Sequence, residues 1–326
     1  MKLSRPLTGI IPPVLTPLAD RDQLDQSAFD RLLNYLIEGG SSALFVLGST
    51  GESPGLSDRL RRDLIDCACA TVGQRVPLLV GITDTAFAES LQLAEYAAKA
   101  GASALVLSPP YYFNLSQSAF LGYLERLLPL LPLPVYLYNI PSLTKLMIAP
   151  ETVFAAAKMP NVYGLKDSSG NVDYFIRVQS LMADRPDFAL LAGVEEVLAE
   201  MVARGAHGGV CGGANLYPRL YVDLFEAAAR GDAERVRTLQ STVITISEGV
   251  YRAGEPESSY LRGLKCASSM LGFGNGLMAE PYFALREEER GGIRAALQAA
   301  GLLAAGLPGS YSGLSGNPEC LGEVAP

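Results

Sequence analysis

The chain has 326 residues, of which 49% are hydrophobic and 18% are charged, so it can bury one large core or two modest ones. Its net charge of -8 offers no basic surface to nucleic acid, and we expect no nucleic-acid partner. No apolar run reaches the roughly 18 residues of a membrane span, and the first residues lack the apolar core of an export signal, so we expect no membrane partner.

The cysteine and histidine content restricts the chemistry further. The cysteines at positions 67, 69, 211, 266 and 320 are odd in number and scattered, which predicts reduced thiols and a cytoplasmic protein. With His207 as the one histidine, a His-rich zinc site or a Ser-His-Asp triad lacks its components. His207 lies in a Gly-rich stretch and is predicted to be a turn residue. We expect neither a metal nor a cofactor.

Short apolar runs alternate with longer amphipathic runs from the start of the chain to residue 211. This alternation is typical of a parallel barrel with an outer ring of helices, and we predict an α/β fold, a TIM (β/α)8 barrel, over residues 1–215. A doubly wound open sheet is the alternative, but no Gly-x-Gly-x-x-Gly follows the first strand, which argues against dinucleotide binding. The predicted strands are 9–15, 43–47, 78–82, 104–107, 135–138, 162–165, 188–192 and 208–211. The predicted helices are 27–38, 57–72, 86–100, 116–128, 150–158, 195–203 and a run from 172.

Strand signals stop after residue 211. Residues 218–229, 233–251 and 258–271 predict helices, and 285–303 predicts a last helix that Gly291-Gly292 interrupts. We therefore predict a C-terminal helical appendage over residues 216–304. Residues 305–326 are rich in Gly, Ser and Pro, which predicts a flexible tail without a core of its own.

A lysine ends the sixth predicted strand. Residues 162–165 are apolar, and Lys166 and a polar turn follow them. Burial removes hydration from an ammonium group and favours the neutral amine, which can attack a ketone to form a Schiff base. The alternative is an ordinary solvated lysine at a strand end.

Other polar residues also follow predicted strands. Residues 48–52 read Gly-Ser-Thr-Gly-Glu, and their glycines let the backbone turn N–H groups inward to form a nest for a carboxylate or phosphate. An ordinary Gly-rich turn explains the same five residues equally well. Tyr111 and Tyr112 follow the fourth strand and Tyr138 ends the fifth, where tyrosines often serve only in packing. Because active sites of such barrels lie at the carboxyl ends of the strands, we expect these groups to converge with Lys166.

Together these segments form a specific set. Pro13-x-x-Thr16-Pro17, Gly48-Ser49-Thr50-Gly51-Glu52, Tyr111-Tyr112, Tyr138-Asn139-Ile140-Pro141 and Gly164-Leu165-Lys166-Asp167 occur in the order and spacing of the dihydrodipicolinate synthase and N-acetylneuraminate lyase superfamily. The chain resembles that superfamily from about residue 8 to residue 300, including the helical appendage. The resemblance implies a Schiff-base aldolase or a related enzyme on a barrel, without a metal, assembled as a homotetramer of tight dimers.

The resemblance also implies a role for each matching residue. Lys166 forms the imine with pyruvate or with the 2-oxo end of a substrate, and Tyr138 relays protons close to it. Ser49 joins this relay and, with Thr50, holds the substrate carboxylate. Tyr112 completes the relay from the neighbouring subunit. Gly51, Gly193 and Val210, at the ends of their strands, are further substrate-binding candidates.

Two positions bear on the second substrate. Dihydrodipicolinate synthases usually carry an arginine two residues after the proline of Tyr-Asn-x-Pro, and this chain has Leu143, which removes the obvious partner of a second carboxylate. Leucine at this place resembles the sugar-acid lyases. Glu195 stands where N-acetylneuraminate lyases present acidic residues to sugar hydroxyls, so we predict that it accepts hydrogen bonds from a polyol. For its neighbour Glu196 we favour a simpler role in the first turn of the next helix.

We therefore predict a pyruvate-dependent aldolase that acts on a 2-oxo-3-deoxy sugar acid or a similar hydroxylated 2-oxo acid, with pyruvate and an aldehyde as its small-molecule partners. The alternatives are a sugar-acid dehydratase on the same imine, a 4-hydroxy-tetrahydrodipicolinate synthase, and a non-catalytic relative that binds 2-oxo acids. The last of these would tend to lose Lys166 or Tyr138, and both are present.

Overall fold

The computed structural model describes residues 3–304, in which eight parallel strands form one sheet and two further strands form a small antiparallel hairpin. The hairpin consists of β2 and β3, and the order in the sheet is β1-β10-β9-β8-β7-β6-β5-β4. The strands are β1 (Gly9–Ile10), β2 (Leu18–Asp20), β3 (Gln23–Leu24), β4 (Leu44–Val46), β5 (Leu78–Gly81), β6 (Ala104–Leu107), β7 (Val135–Asn139), β8 (Val162–Asp167), β9 (Ala189–Ala192) and β10 (Gly208–Gly209).

The two ends of this sheet meet and close it into a barrel. Pro13 forms a parallel bridge with Phe45 of β4, and the N–H of Val14 donates to the Phe45 carbonyl at 2.8 Å. Strand β1 is shorter than the predicted 9–15 because Pro12 and Pro13 have no N–H to give to a ladder. The predicted TIM (β/α)8 barrel is confirmed.

Helices follow the barrel strands as the amphipathic runs predict, with ends shifted by a residue or two where a capping residue precedes the helix. Ser57 is one such residue, since its Oγ accepts the N–H of Leu60 and the helix begins at Asp58. The helices are α1 (Gln26–Glu38), α2 (Asp58–Val72), α3 (Phe87–Ala100), α4 (Gln117–Leu127), α5 (Pro141–Thr144), α6 (Pro150–Ala157), α7 (Val172–Leu181), α8 (Leu198–Ala203), α9 (Pro218–Arg230), α10 (Ala233–Val250), α11 (Ser259–Met270) and α12 (Glu287–Ala299).

Two predicted helices differ from those observed. The last helix, α12, runs through Gly291-Gly292 without the predicted interruption. Both glycines are exposed while Ile293 and Leu297 are buried, and burial of that apolar face outweighs a helix-propensity cost of roughly 1 kcal/mol per glycine. The predicted helix 195–203 is divided into a short 3-10 turn, Glu195–Val197, and α8.

The barrel has one hydrophobic core inside the strands and another between the strands and the helices. Phe45, Tyr138 and Val210 belong to the inner core. Helices α10 to α12 contribute to the outer core, for example through Val243 and Leu264, so the predicted appendage shares the core of the barrel.

The predicted boundary at 215/216 falls before α9. This helix packs on β1 and α8 and completes the ring of eight helices, so the appendage observed here begins with α10. The predicted tail, 305–326, lies outside the described residues. Across residues 3–304, no helix is long and apolar enough to cross a membrane.

Candidate active site

A cavity of about 200 Å³ opens at the carboxyl ends of the barrel strands. Its apolar walls include Phe45, Val106 and Leu143. Hydroxyl groups interrupt these walls at Ser49, Ser53, Thr83, Ser108, Tyr111, Tyr138 and Thr144. Among the described residues, those that line this strand-end cavity carry no charged side chain, and the Lys166 amine lies just behind two of them, 5.3 Å from the Phe45 ring centroid and 3.8 Å from that of Tyr138.

Lys166 and Tyr138 lie side by side beneath the cavity. They are register partners on the parallel strands β8 and β7, and the Lys166 Nζ atom lies 3.8 Å from the centroid of the Tyr138 ring. Both are almost fully buried, with exposed fractions of 5% and 6%. Register partners on adjacent parallel strands point to the same face, so the ladder itself places the amine beside the phenol.

The surroundings of the Tyr138 phenol lower its pKa, which favours proton transfer. Burial alone would raise the pKa of Tyr138, but the Lys166 ammonium and hydrogen bonds with Ser49, Lys166 and Ser168 outweigh it and lower the pKa below the usual value of a tyrosine. The Ser49 Oγ atom lies 3.5 Å from the Tyr138 hydroxyl, at the limit of a hydrogen bond. Three residues predicted to form the centre of the site are thus brought together.

The turn at residues 48–52 uses much of its own hydrogen-bonding capacity. The N–H groups of Gly51 and Ser53 donate to the Gly48 carbonyl, and that of Glu52 donates to the Ser49 carbonyl. The N–H groups of Ser49 and Thr50 take no part in these three bonds and can donate to a ligand. The nest therefore offers fewer free N–H donors than the composition of the turn suggests, and two such donors can bind one carboxylate.

A buried ion pair anchors this turn from the C-terminal helices. The Glu52 carboxylate lies against the ammonium group of Lys265 on α11 and also accepts the N–H of Ala279 at 2.8 Å. The side chains of Glu52 and Lys265 are each 4% exposed. Burial lowers the pKa of Lys265, and Glu52 offsets part of that effect. Glu52 itself has a positive φ of 59°, a conformation unusual for a residue other than glycine.

Thr50 faces the same appendage. Its Oγ1 shares a hydrogen bond of 3.1 Å with the hydroxyl of Tyr260 on α11, and its exposed fraction is 5%. A side chain at Gly212 would collide with this hydroxyl, since its Cβ would lie 1.9 Å from the Tyr260 oxygen. Sequence reasoning missed Tyr260 and Lys265. One signal was available, because Lys265 stands in the apolar stripe of an amphipathic helix.

The other predicted substrate-binding positions lie around the barrel rim. The Gly51 carbonyl accepts a hydrogen bond from the Thr16 hydroxyl at 2.8 Å. The Gly193 N–H donates to the Asp167 carbonyl at 2.7 Å, and the Val210 side chain packs in the inner core with Tyr138. The described lining of the strand-end cavity does not include Gly51, Gly193 or Val210, and their binding of substrate stays a prediction.

Leu143 and Tyr112 are both exposed, but in different places. Leu143 lines the strand-end cavity with 54% of its surface exposed, so residue 143 borders the predicted position of the second substrate. Tyr112 is 70% exposed beside Phe113 at 75%, and it does not line the cavity of its own subunit. Its predicted contribution to a neighbouring site stays a prediction.

Glu195 has different partners from the predicted polyol. Its Oε1 accepts hydrogen bonds from the hydroxyls of Tyr251 and Tyr221 at 2.5 and 2.6 Å, and its Oε2 accepts the N–H of Gly213 at 3.0 Å. Burial raises its pKa, and these three hydrogen bonds oppose the rise. With 4% of its surface exposed, the carboxylate would have to exchange a phenol for a substrate hydroxyl.

The remaining titratable candidates lie away from the cavity. Glu196 accepts a hydrogen bond from the Ser247 hydroxyl at 2.5 Å. His207 accepts the N–H of Leu190 on Nδ1 at 3.0 Å, and burial lowers its pKa. The described cysteines at 67, 69, 211 and 266 are free thiols. Between residues 3 and 304, no three His, Cys, Asp or Glu side chains gather where they could hold a metal ion.

Comparisons with known proteins give a match over most of the chain. The model of the dihydrodipicolinate synthetase family matches residues 6–300. The 4-hydroxy-tetrahydrodipicolinate synthase of Dechloromonas aromatica is 32% identical over 299 residues, which are 91% of this chain and 100% of that protein.

Solved structures extend the match to three dimensions. The dihydrodipicolinate synthase of Bacteroides thetaiotaomicron superimposes with a TM-score of 0.88 at 50% identity, covering 91% of this chain and 99% of its own. YagE, a prophage protein of the dihydrodipicolinic acid synthase family from E. coli K12 in complex with pyruvate, gives a TM-score of 0.85 at 30% identity, with the same two coverages.

Proposed function

The chain belongs to the dihydrodipicolinate synthetase family and is a lyase of the lysine Schiff-base type, and from this premise we propose that it is a pyruvate-dependent aldolase acting on a 2-oxo-3-deoxy sugar acid or a similar hydroxylated 2-oxo acid. The observation that carries the choice of substrate is the uncharged lining of the strand-end cavity, with Leu143 at its edge. A sugar-acid dehydratase on the same imine stays an alternative.

The proposed chemistry begins at Lys166. Its neutral amine adds to the C2 carbonyl of the 2-oxo acid, and the hydroxyl of the resulting carbinolamine leaves as water with the proton of the Tyr138 phenol, so that a protonated imine and a phenolate remain. Tyr138, whose ring lies against the Lys166 amine, takes the proton of the C4 hydroxyl. The C3–C4 bond then breaks, C4 leaves as an aldehyde, and the electron pair enters an enamine. Protonation at C3 and hydrolysis release pyruvate and the free amine.

The N–H groups of Ser49 and Thr50 are proposed to hold the substrate carboxylate, because neither is used in the hydrogen bonds within the turn. Ser49 is also close enough to the Tyr138 hydroxyl to pass a proton toward the surface. This arrangement places the carboxylate at the turn and the carbonyl at the amine.

The lining of the cavity argues for an uncharged second substrate. A second carboxylate beside Leu143 would lack a cationic partner, a loss on the order of 2 to 5 kcal/mol in a desolvated pocket. A hydroxylated aldehyde avoids that loss and can exchange hydrogen bonds with Ser53, Thr83 or Ser108, each worth about 0.5 to 1.5 kcal/mol. The missing cationic partner and the available hydroxyl groups both favour a polyol as the second substrate.

The test is a direct competition between acceptors. Condensation of pyruvate with hydroxylated aldehydes of three to six carbons is compared, by kcat/KM, with its condensation with aspartate semialdehyde. We expect the hydroxylated aldehydes to be preferred. Leu143→Arg should shift the ratio toward the semialdehyde by roughly 10-fold or more, while the apolar control Leu143→Met leaves it unchanged.

A second candidate is the 4-hydroxy-tetrahydrodipicolinate synthase. This candidate is favoured by the names of similar proteins. The relative from Dechloromonas aromatica is called a 4-hydroxy-tetrahydrodipicolinate synthase, and the structure from Bacteroides thetaiotaomicron is called a dihydrodipicolinate synthase. The same competition decides between the two. A wild-type protein that condenses aspartate semialdehyde far faster than any sugar-derived aldehyde is the synthase.

For the assembly we propose a cytoplasmic homotetramer built from tight dimers in which Tyr112 enters the neighbouring site. The exposed pair of Tyr112 and Phe113 supports this, because such large apolar surfaces are usually covered. Mixing Tyr112→Phe subunits with Lys166→Ala subunits should restore activity in hybrid dimers. Absence of recovery after demonstrated subunit exchange would count against the shared site.

A further inference from the structure

We propose that Asn139 and Asp167 form a positioning pair that holds the phenol of Tyr138 and the amine of Lys166 in their working geometry. The inference rests on the proposed function in one respect, that Lys166 forms the imine and Tyr138 moves protons. Neither Asn139 nor Asp167 is predicted to contact the substrate, and the proton-transfer chemistry has no direct use for them.

The pair lies directly behind the reactive groups. The register that pairs Tyr138 with Lys166 also pairs Asn139 with Asp167, one residue further along both strands. Successive side chains of a strand point to opposite faces, so this second pair projects away from the barrel interior. There the Asn139 Nδ2 atom donates to the Asp167 Oδ1 atom at 2.8 Å, and the residues are only 0% and 7% exposed.

The remaining polar atoms of the pair reach the loops that follow both strands. The Asn139 Oδ1 atom accepts the N–H of Ile148 at 3.0 Å, at the end of the segment that carries Leu143. The Asp167 carboxylate accepts the N–H and the hydroxyl of Ser169 at 3.1 and 3.0 Å. The pair therefore connects the two strand ends to each other and to both of their loops.

Backbone bonds strengthen the same connection. The Ser168 N–H donates to the Asn139 carbonyl at 2.8 Å, and the Gly193 N–H donates to the Asp167 carbonyl at 2.7 Å. Among the described residues, neither a lysine nor an arginine forms an ion pair with Asp167. A buried carboxylate held only by neutral donors is costly in stability, and such groups are best explained when they specify one geometry.

The expected consequence is a loss of chemistry without a loss of imine formation. Tyr138 and Lys166 must keep their relative position for a proton to leave C3 of the pyruvate imine, and an error near 1 Å can lower a rate by roughly 100-fold. Attack of the lysine on a carbonyl tolerates more movement. Imine formation and proton transfer can therefore be separated.

The experiment measures both steps without knowledge of the acceptor. In deuterium oxide, the C3–H bond of the pyruvate imine breaks, its electrons form the enamine double bond, and a deuteron returns to C3 before hydrolysis. Loss of the pyruvate methyl signal in proton NMR reports this exchange. Trapping with borohydride, followed by mass spectrometry, reports the imine.

Asn139→Asp places two carboxylates 2.8 Å apart and should lower the exchange rate at saturating pyruvate by roughly 100-fold, with trapping retained. The double variant Asn139→Asp/Asp167→Asn swaps the two side chains and so restores one donor and one acceptor in reversed order. Its deuterium-exchange rate should be at least about 10-fold higher than that of Asn139→Asp. Asn161→Asp is the matched control, because the Asn161 amide donates to the Leu128 carbonyl at the opposite end of β8. It should exchange at the wild-type rate.

Two results would overturn the proposal: a folded Asn139→Asp protein that exchanges within about twofold of the wild type, or a folded double variant no faster than the single one. Should Asn139→Asp fail to fold, Asn139→Ser takes its place under the same two readouts, since it shortens the side chain without adding charge. Failure of the wild type itself to trap or exchange pyruvate would instead count against the proposed function.

Discussion

The two sides of the strand-end cavity are held in place by different means. On the strand side, Tyr138 and Lys166 stand on β7 and β8 and are aligned by the ladder between neighbouring strands. On the loop side, the turn at 48–52 is held by Lys265, which is 213 residues away in the sequence from its partner Glu52. A ladder aligns residues locally, whereas the loop depends on a buried charge from the appendage.

This difference implies that chemistry and carboxylate binding can be damaged separately. A change on the strand side should alter imine formation or proton transfer while the fold persists. A change in the Glu52–Lys265 pair should affect stability and the grip on the 2-oxo acid carboxylate, because the donors of Ser49 and Thr50 belong to the same turn.

The largest effect is expected at Lys166. Lys166→Ala removes the amine, so borohydride trapping of pyruvate at this residue and deuterium exchange should both disappear. Lys166→Arg is the matched control for charge, because it retains a cation near the Tyr138 ring without a nucleophilic amine. An adduct of unchanged yield in Lys166→Ala would assign the imine to another lysine.

The next effect concerns the loop side. Lys265→Met leaves the Glu52 carboxylate buried and unpaired, which should cost about 3 to 5 kcal/mol in the free energy of unfolding measured by urea titration. The double variant Glu52→Gln/Lys265→Met should recover most of this loss, since a neutral amide can still accept the N–H of Ala279. Equal instability of the single and double variants would mean that packing, and not charge, holds the turn.

Tyr138→Phe changes the strand side of the cavity, and its expected effect on the deuterium-exchange rate is smaller than that of Lys166→Ala. Loss of the phenol should lower the exchange rate by roughly 100-fold, or about 2.7 kcal/mol, while trapping of the pyruvate imine persists. Tyr136→Phe is a close control on the same strand, because in the described chain its buried hydroxyl has no hydrogen-bond partner. An unchanged rate in Tyr138→Phe would move the proton relay elsewhere.

The smallest effect is a pH dependence at Glu195. Burial raises its pKa in the folded state, so the folded protein binds more protons than the unfolded chain above pH 4.5, the ordinary value. Its contribution to stability is complete below that value and is lost as the pH rises. The difference in unfolding free energy between the wild type and Glu195→Gln should therefore fall with increasing pH, by up to about 1.4 kcal/mol per unit. A difference that rises with pH would contradict this.

Much of the strand side was accessible from the sequence. Apolar runs that end on Tyr138 and Lys166 predict two buried strands, and parallel strands place their carboxyl ends at one edge, so proximity of the two residues follows. The loop side was less accessible, because the letters of the turn at 48–52 do not say which of its N–H groups remain free. Only the hydrogen bonds within the turn identify Ser49 and Thr50.

Glu195 illustrates the same limit. Its place after a strand predicts a carboxylate at the site, but a side chain at a strand end can point to the cavity or to the surrounding helices. Here Tyr221 of α9 supplies one phenol, and Tyr251, directly after α10, supplies the other, and no local pattern in the chain anticipates that these two residues meet.

The sequence by itself determined the alternation of strands and helices and the lysine and tyrosine at the ends of successive strands, and it favoured a closed barrel over an open sheet, because these depend on local periodicity and on the rules of parallel sheets. The tertiary structure alone decided which buried charges are paired, that Tyr260 and Lys265 brace the turn, and that Asn139 meets Asp167. Such contacts join residues far apart in the chain, and they depend on which face of each element is turned inward after packing.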